Sequence, residues 1–435
     1  MSRFTLLLLL VFFGKLSAQD QYCISGRFSN GEFFLQDKIL SSRDVVYGYS
    51  KNPFKNSIDT LRMDVYYPNP EVDTMTKRPF ILLVHGGGFL GGTRHDMDYF
   101  CTEYAKRGYV CATMDYRLGW CGPPATSMCS DCAADTEQLK NSTYMVVQDV
   151  RAALRFMGSN YLGWNVDPNW FFIGGISAGS ITSFLSVIWT QQDANAFAPT
   201  AQALLGSLDT AGNAFPKKYT IRGISDNCGA IPGDSMLIDR VTVPLISFHD
   251  EWDCTVPSLR GTLFGCSCGA FYKCYGSEFI HNELDARGAC TELNNVESSP
   301  EHCSFPAEMV MLRTSCFFKR IMCSVCRSDT NSSLTYAENC DSLGNGQVFG
   351  IDNFSVTLAP TPGNDLVELT FSEHCRHYGT VKFYNFLGQE VFEQSFTYMT
   401  KKIELNVGDL PSGIYFLVFD YPEKIPPLKM LVTHF

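Results

Sequence analysis

The sequence predicts an α/β fold with a mainly parallel sheet covered on both faces, followed by a small all-β sandwich. Three observations predict it. Between about Leu61 and Cys326, apolar β-branched runs alternate with stretches of helical periodicity, the pattern of parallel strands joined by crossover helices. Near Asn345 the helical periodicity stops, and short β-like segments punctuated by Gly, Pro and Asp take over. With 45% apolar and 18% charged residues in 435 positions, the chain is of a folded class and long enough for two or three domains.

The elements follow in order. "RPFILLVHG" and "GYVCATMDYRLG" are apolar runs that end in turn residues, as buried strands do. In "YMVVQDVRAALRFMGSNY", Val147, Val150, Leu154 and Met157 are spaced three, four and three apart, which is one face of a helix. "NWFFIGG" reads as a strand and "SAGSITSFLSVIW" as the helix after it. "YTIRGIS" and "VTVPLISFHD" are two more strands. "GSEFIHNELDARG" is a helix closed by Gly288, "CTELNNVE" a last strand and "SFPAEMVMLRTSCFFKRI" a last helix. In the C-terminal part, "TVKFYNFLGQEVFEQSF" reads as a hairpin turning at Gly388, and "KKIELNVGDLPSGIYFLVFD" and "LKMLVTHF" complete a sandwich of ordinary size. The expected division is a leader over 1–18, an α/β domain over 19–340 and a β domain over 345–435.

The N-terminal "MSRFTLLLLLVFFGKLSAQD" has a basic start, a short apolar core and a small-residue cleavage site, the three parts of a secretory signal peptide. Cysteine usage agrees with a secreted, extracellular or cell-surface location. Sixteen of the 18 cysteines fall between Cys101 and Cys340, a density that reads as disulfides in an exported chain. Cys323 and Cys326 stand at a redox or zinc spacing, but no matching pair or histidine follows, so disulfides are expected and no metal. Asn141, Asn331 and Asn353 open glycosylation sequons. The net charge of −11 speaks against nucleic acid or an anionic membrane as partner.

"FFIGGISAGS" places Ser177 inside Gly175-Ile176-Ser177-Ala178-Gly179, between a strand and a helix. That pattern suits a nucleophile on a sharp turn, and alone it equally suits a small packing residue. About 90 residues earlier, "LLVHGGGFLGG" puts three glycines straight after a strand, where backbone N–H groups can face a developing oxyanion. The Gly87, Gly88 and Ala178 N–H groups are the expected oxyanion hole, with Gly86 as a substitute. His85 is expected to hold this loop.

Together and in order, "FILLVHGGGF", "MDYRLG", "VVQDVRAALRFMGSN", "NVDPNWFFIGGISAGS" and "VPLISFHDEWDCTVP" resemble the α/β-hydrolase esterases, in particular the carboxylesterase and hormone-sensitive-lipase-like group, over about residues 55 to 325. The resemblance implies an eight-stranded, mostly parallel sheet and a Ser–Asp–His triad in chain order. It places the acid in a loop past a histidine and just before Val256-Pro257. Asp253 fits, and Asp250 is the alternative. The base belongs after the last strand, where His302 lies in "SSPEHCSF". His281 is the competitor, on what reads as the polar, solvent-exposed side of its helix. The family usually has Gly-His-Gly here, whereas this chain has Glu301-His302-Cys303, and Cys303 is a candidate to pin the loop by a disulfide. Cys254 is likewise read as a disulfide partner.

The expected function is a serine carboxylic-ester hydrolase that needs no cofactor, acting on short-acyl esters or on acetyl or feruloyl esters of a polysaccharide. A catalytically silent binding or adhesion protein and a serine peptidase or amidase are the alternatives. The C-terminal "VTLAPTPGNDLVELTF", "VKFYNFLGQEV" and "LPSGIYFLVFD" are similar to type IX secretion sorting domains. That resemblance implies an outer-membrane secretion machinery as partner.

Overall fold

The computed structural model describes residues 20–120, 136–233, 235–265, 271–332, 340, 343, 349–351, 354–360, 365–371, 379–397, 400–420 and 428–434. The leader, the cysteine-rich stretch 121–135, Cys375 and the Asn353 sequon lie outside the described residues.

The α/β part is built on a nine-stranded sheet in the order β1-β2-β4-β3-β5-β6-β8-β11-β12. Its strands are β1 (Ile39–Asn52), β2 (Ser57–Pro68), β3 (Arg78–Val84), β4 (Val110–Met114), β5 (Val166–Ile176), β6 (Ile221–Asn227), β8 (Leu245–Asp250), β11 (Thr291–Val296) and β12 (Asp329–Asn331). Pairings from β4 to β12 are parallel; β1–β2 and β2–β4 are antiparallel. β7 (Ala230–Pro232), β9 (Arg260–Thr262) and β10 (Lys273–Gly276) form a separate three-stranded sheet.

Every residue of β3 and β4 is buried, because helices cover both faces of the sheet. Successive β3 side chains serve different cores. Phe80, Leu82 and Val84 face a cluster with Val147, Val150 and Phe184. Ile81 and Leu83 face a cluster with Phe100, Tyr104 and Phe318. The first cluster takes helix α2 (Thr136–Ser159) and α3 (Ala178–Ile188); the second takes α1 (Asp98–Lys106) and the helix Ala307–Met322. Each such side chain contributes about 1.5–3 kcal/mol of burial energy, and the two cores fix the sheet between them. Inside α3, Thr182 and Ser183 satisfy their buried hydroxyls on the Ala178 and Gly179 carbonyls at 3.1 and 2.8 Å, so the helix can be buried nearly all round.

Four readings of the sequence are corrected here. The sheet has nine strands, not eight. "CTELNNVE" is not the last strand, since the short β12 adds to the edge. The antiparallel β1–β2 pair begins well before Leu61; its bulges at Ser42/Val45 and Val46/Gly48 break the period-2 signal. Asn141 is buried, with its side-chain amide on Thr200 Oγ1 at 3.0 Å, so that sequon is closed in the folded chain.

The C-terminal part holds two four-stranded antiparallel sheets; one runs in the order β13 (Phe349–Ile351), β14 (Phe354–Ala359), β15 (Leu366–Phe371), β18 (Lys402–Asn406), and the other in the order β17 (Glu390–Phe396), β16 (Gly379–Asn385), β19 (Gly413–Asp420), β20 (Leu428–Val432). In β19 Tyr415, Leu417 and Phe419 are buried with Val381, Phe383 and Met430 in one core, while the intervening residues face outward. The turn between β16 and β17 passes through Gly388.

Candidate functional site

The parallel strands all end on one edge of the sheet, and the chemistry-bearing loops leave from that edge. The loop after β3 carries the glycines, the turn after β5 carries Ser177, the loop after β8 carries Asp253, and the loop after β11 carries His302.

Ser177 sits at φ 53° and ψ −118°, outside the regions that L-residues favour. Its N–H donates to the Asn227 carbonyl at 2.8 Å, and its own carbonyl accepts the first turn of α3 from Ile181 N–H at 3.0 Å. The turn is this tight because Gly179 lies against β3. A side-chain carbon there would collide with the Val84 carbonyl oxygen, so only glycine fits.

Ser177 Oγ is 2.8 Å from His302 Nε2, and His302 Nδ1 is 2.6 Å from Asp253 Oδ2. Ser177 and Asp253 are buried, and the His302 side chain is 26% exposed. Asp253 Oδ1 accepts the Thr255 and Val256 N–H groups at 2.8 and 3.1 Å. Burial alone would raise the Asp253 carboxyl. Hydrogen bonds from His249 and His302 outweigh it and hold the group at about 2. Asp250, the alternative acid, points away and accepts Ser304 N–H at 3.0 Å.

His281 is not exposed. It is buried on the helix Ser277–Asp285, with Nδ1 on Thr291 Oγ1 and Nε2 on Thr330 Oγ1, both at 3.1 Å. Strand β12 supplies Thr330 and covers the side that the sequence reads as solvent. His281 is therefore a satisfied structural histidine, remote from Ser177 in its bonding.

The glycine loop lies beside the serine. Gly86 backs onto Ile176 O and the Ser177 side chain. Gly87 and Gly88 have φ of 106° and 60°, and among the described residues their N–H groups are committed to no acceptor. Ala178 opens α3, where helix N–H groups are unpaired. His85 is buried and stacks on Tyr116 with centroids 4.1 Å apart. Its Nδ1 meets Gly86 O at 2.8 Å, and Tyr116 Oη donates to the His85 and Gly86 carbonyls at 3.0 Å. Burial lowers the proton affinity of His85. An aromatic set borders the loop: Phe264 packs against Gly88, Trp120 Nε1 donates to Gly88 O at 2.9 Å, and Phe271 closes on both rings.

Cysteines tie the site down. Cys303 is disulfide-bonded to Cys228, and Cys254 is also in a disulfide. Cys323 and Cys326 go to different partners, Cys23 and Cys290, so they form neither a redox pair nor half a metal site. Two groups among the described residues bring donor atoms within 4.8 Å: Cys228, His302 and Cys303, and Asp64, His95 and Asp98. In the first both sulfurs are in the disulfide. In the second Arg43 and Arg94 already neutralise the carboxylates. Neither suits a cation.

Four residues behind the site were missed by sequence reasoning: His249, Ser277, Asp226 and Ser180. The one signal was the histidine in "FHDEWD", four residues before Asp253.

A doubly covered parallel sheet with a serine on a strand-to-helix turn, and a histidine and an aspartate delivered by later strands, defines an α/β-hydrolase fold. More narrowly, residues 23–198 match the Carboxylesterase family, a stretch holding the glycine loop and Ser177 but ending before Asp253. Residues 357–426 match the Secretion system C-terminal sorting domain, which marks the chain for secretion or cell-surface export. Gut esterase 1 of Caenorhabditis elegans is 34% identical over 124 residues, 28% of this chain and 20% of that protein. Carboxylesterase 3B of Mus musculus is 32% identical over 166 residues, 37% of this chain and 26% of that protein. The chain thus spans about a quarter or less of these relatives. Among solved structures, esterase 2 of Thermogutta terrifontis in its apo form aligns at 17% identity and a TM-score of 0.43, over 66% of this chain and 96% of that one.

Proposed function

We propose that this chain is an exported serine carboxylic-ester hydrolase, with Ser177 as nucleophile, His302 as base and Asp253 as the orienting acid. The observation that carries the reading is the unbroken line from Ser177 Oγ through His302 to Asp253, at 2.8 and 2.6 Å, beside Gly87 and Gly88 N–H groups that no acceptor among the described residues takes.

His302 Nε2 takes the Ser177 proton as Oγ attacks the acyl carbon, and the carbonyl electrons move onto oxygen. The Gly87, Gly88 and Ala178 N–H groups hold that oxyanion. The intermediate collapses, and the leaving alcohol takes the proton back from His302. Water, deprotonated by the same nitrogen, then releases the acid. Asp253 stays ionised throughout, fixes the imidazole tautomer and stabilises its charged form.

The aromatic set Trp120, Phe264 and Phe271 beside Gly88 supports a short or flat acyl group, acetyl or feruloyl, on a small alcohol or on a polysaccharide. The sorting domain supports delivery through an outer-membrane secretion machinery.

Turnover of p-nitrophenyl acetate and butyrate tests the reading. Ser177→Ala and His302→Ala are expected to lose at least about 10³-fold in kcat. Wild-type turnover in Ser177→Ala would overturn the mechanism. An inert wild-type chain that still binds acetylated glycan would favour a binding protein, and preference for an anilide over the matching ester would favour an amidase.

A further inference from the structure

We propose that His249 is a positioning residue: a buried imidazolium, held by Asp226 through Ser277, that aims the Asp253 carboxylate at His302. The inference rests on the proposed roles of Ser177, His302 and Asp253.

His249 lies on β8, buried completely. Its Nε2 meets Val256 O at 2.8 Å and Asp253 Oδ2 at 3.4 Å. Both neighbours are acceptors only, so Nε2 carries a proton. Its Nδ1 is 2.6 Å from Ser277 Oγ, whose single hydroxyl proton goes to Asp226 Oδ2 at 2.5 Å. Ser277 therefore accepts from Nδ1, which carries a proton too. Two protons make the ring a cation. Asp226 is itself buried and fixed by Gly229 N–H at 2.8 Å and by the Ser180 hydroxyl, which comes from the first turn of α3 just past Ser177.

The charge count explains the arrangement. Asp226 and Asp253 would otherwise be two buried carboxylates sharing one cationic partner only during turnover, at high desolvation cost. With His249 charged, the pair Asp226–His249 is neutral and Asp253 keeps one net negative charge, which His302 balances when it takes the Ser177 proton. Among the described residues, the titratable groups that act on His249 are Asp226 from β6 and Asp253 from its own loop; Asp253 Oδ2 is shared with His302, and burial and the Asp253 charge raise the buried Cys274 thiol on β10. Burial would depress the imidazole, but Asp253 and Asp226 outweigh it and hold it above its ordinary value.

Histidine-selective 15N NMR on the intact chain at pH 7.5, about one unit above the ordinary imidazole value, tests the protonation state. Of the eight histidines, one is expected to carry protons on both nitrogens. Eight neutral rings would overturn the proposal, whether or not any variant folds. His249→Gln is expected to lower kcat about 10- to 100-fold with KM within about twofold. The acidic limb of kcat/KM is expected to move up by about half a pH unit or more, since removing a cation leaves the His302 imidazolium facing uncompensated negative charge. A merely structural role lowers the melting temperature and leaves that limb in place, and an unshifted limb with wild-type kcat overturns the inference. Loss of Ser177 dependence would instead sink the underlying reading, and the NMR result stands apart from it.

Discussion

Cys303 is bonded to Cys228 with their Cα atoms 5.3 Å apart. One residue before Cys303 is His302, and one residue before Cys228 is Asn227, whose carbonyl anchors the Ser177 N–H at 2.8 Å. The bond therefore ties the His302 loop to the strand end that anchors Ser177. On its other side the loop is held by Ser304 N–H on Asp250 at 3.0 Å, and Cys303 adopts φ 58°.

Removing that bond should act on turnover as well as stability. Cys303→Ser is expected to lower kcat about 10-fold or more and stability by about 2–4 kcal/mol. Kinetics at 20 °C below the variant's melting midpoint, about the margin that keeps it folded, separates the two effects. Unchanged kcat there would show that the loop holds its shape unaided.

The glycine loop makes a second prediction. Gly87 has φ 106°, and a side-chain carbon there would collide with the Gly91 carbonyl. Gly87→Ala must shift the loop and its N–H. A loss of about 10²–10³ in kcat is expected, the effect of one oxyanion donor, with a near-normal circular dichroism spectrum. An unaltered kcat would move the oxyanion site elsewhere.

A buried ion pair outside the Ser177–His302–Asp253 line should govern stability first. Arg117 and Asp149 are both almost fully buried and meet at 2.7 Å. Arg117 also donates to the Lys51 and Met145 carbonyls and to Gln148. This clasp joins the loop after β4 to α2. Asp149→Ala leaves a buried, uncompensated guanidinium and is expected to cost about 3–5 kcal/mol in a denaturant titration. A loss under about 1 kcal/mol would show that water reaches the pair.

Stability should fall at both ends of the pH scale for identifiable reasons. Asp253 is held at about 2 against an ordinary 3.8. Its contribution, of order 2 kcal/mol, is present above pH ~4 and is lost as pH falls toward 2. His249 is raised above 6.5. Its contribution is fully present below that value and is lost as pH rises through the folded-state value. Melting midpoints measured against pH should show both declines in the wild type. The alkaline one should be absent from His249→Gln and the acid one weakened in Asp253→Asn.

Much of this was legible in the chain. "FILLV" is apolar throughout and "VCATM" nearly so because both faces of their strands are covered, whereas "GIYFLVFD" is apolar at almost every position and only its burial alternates, with Ile414, Phe416 and Val418 left exposed. Tight packing at Gly179 and the serine's turn show as the Gly-x-Ser-x-Gly spacing. The N-terminal hairpin was not legible, since its bulges scramble the alternation. His281 was misjudged because its helix alone shows a polar face, and the cover comes from Thr330, about fifty residues on.

The sequence by itself determined the central strands and the helices that cover them, though not the N-terminal hairpin or the edge strand β12, since side-chain periodicity and glycine sterics are local properties of the chain. It also determined the supply of cysteines and the sorting-type tail. Only the tertiary structure decided which carboxylate and which histidine face Ser177, which cysteine closes the histidine loop, and that His249 stands between Asp226 and Asp253. Those relations join residues 75 to 125 positions apart or depend on which way a loop side chain turns. Hydrogen bonding and charge are settled by distance in space, on which spacing along the chain is silent.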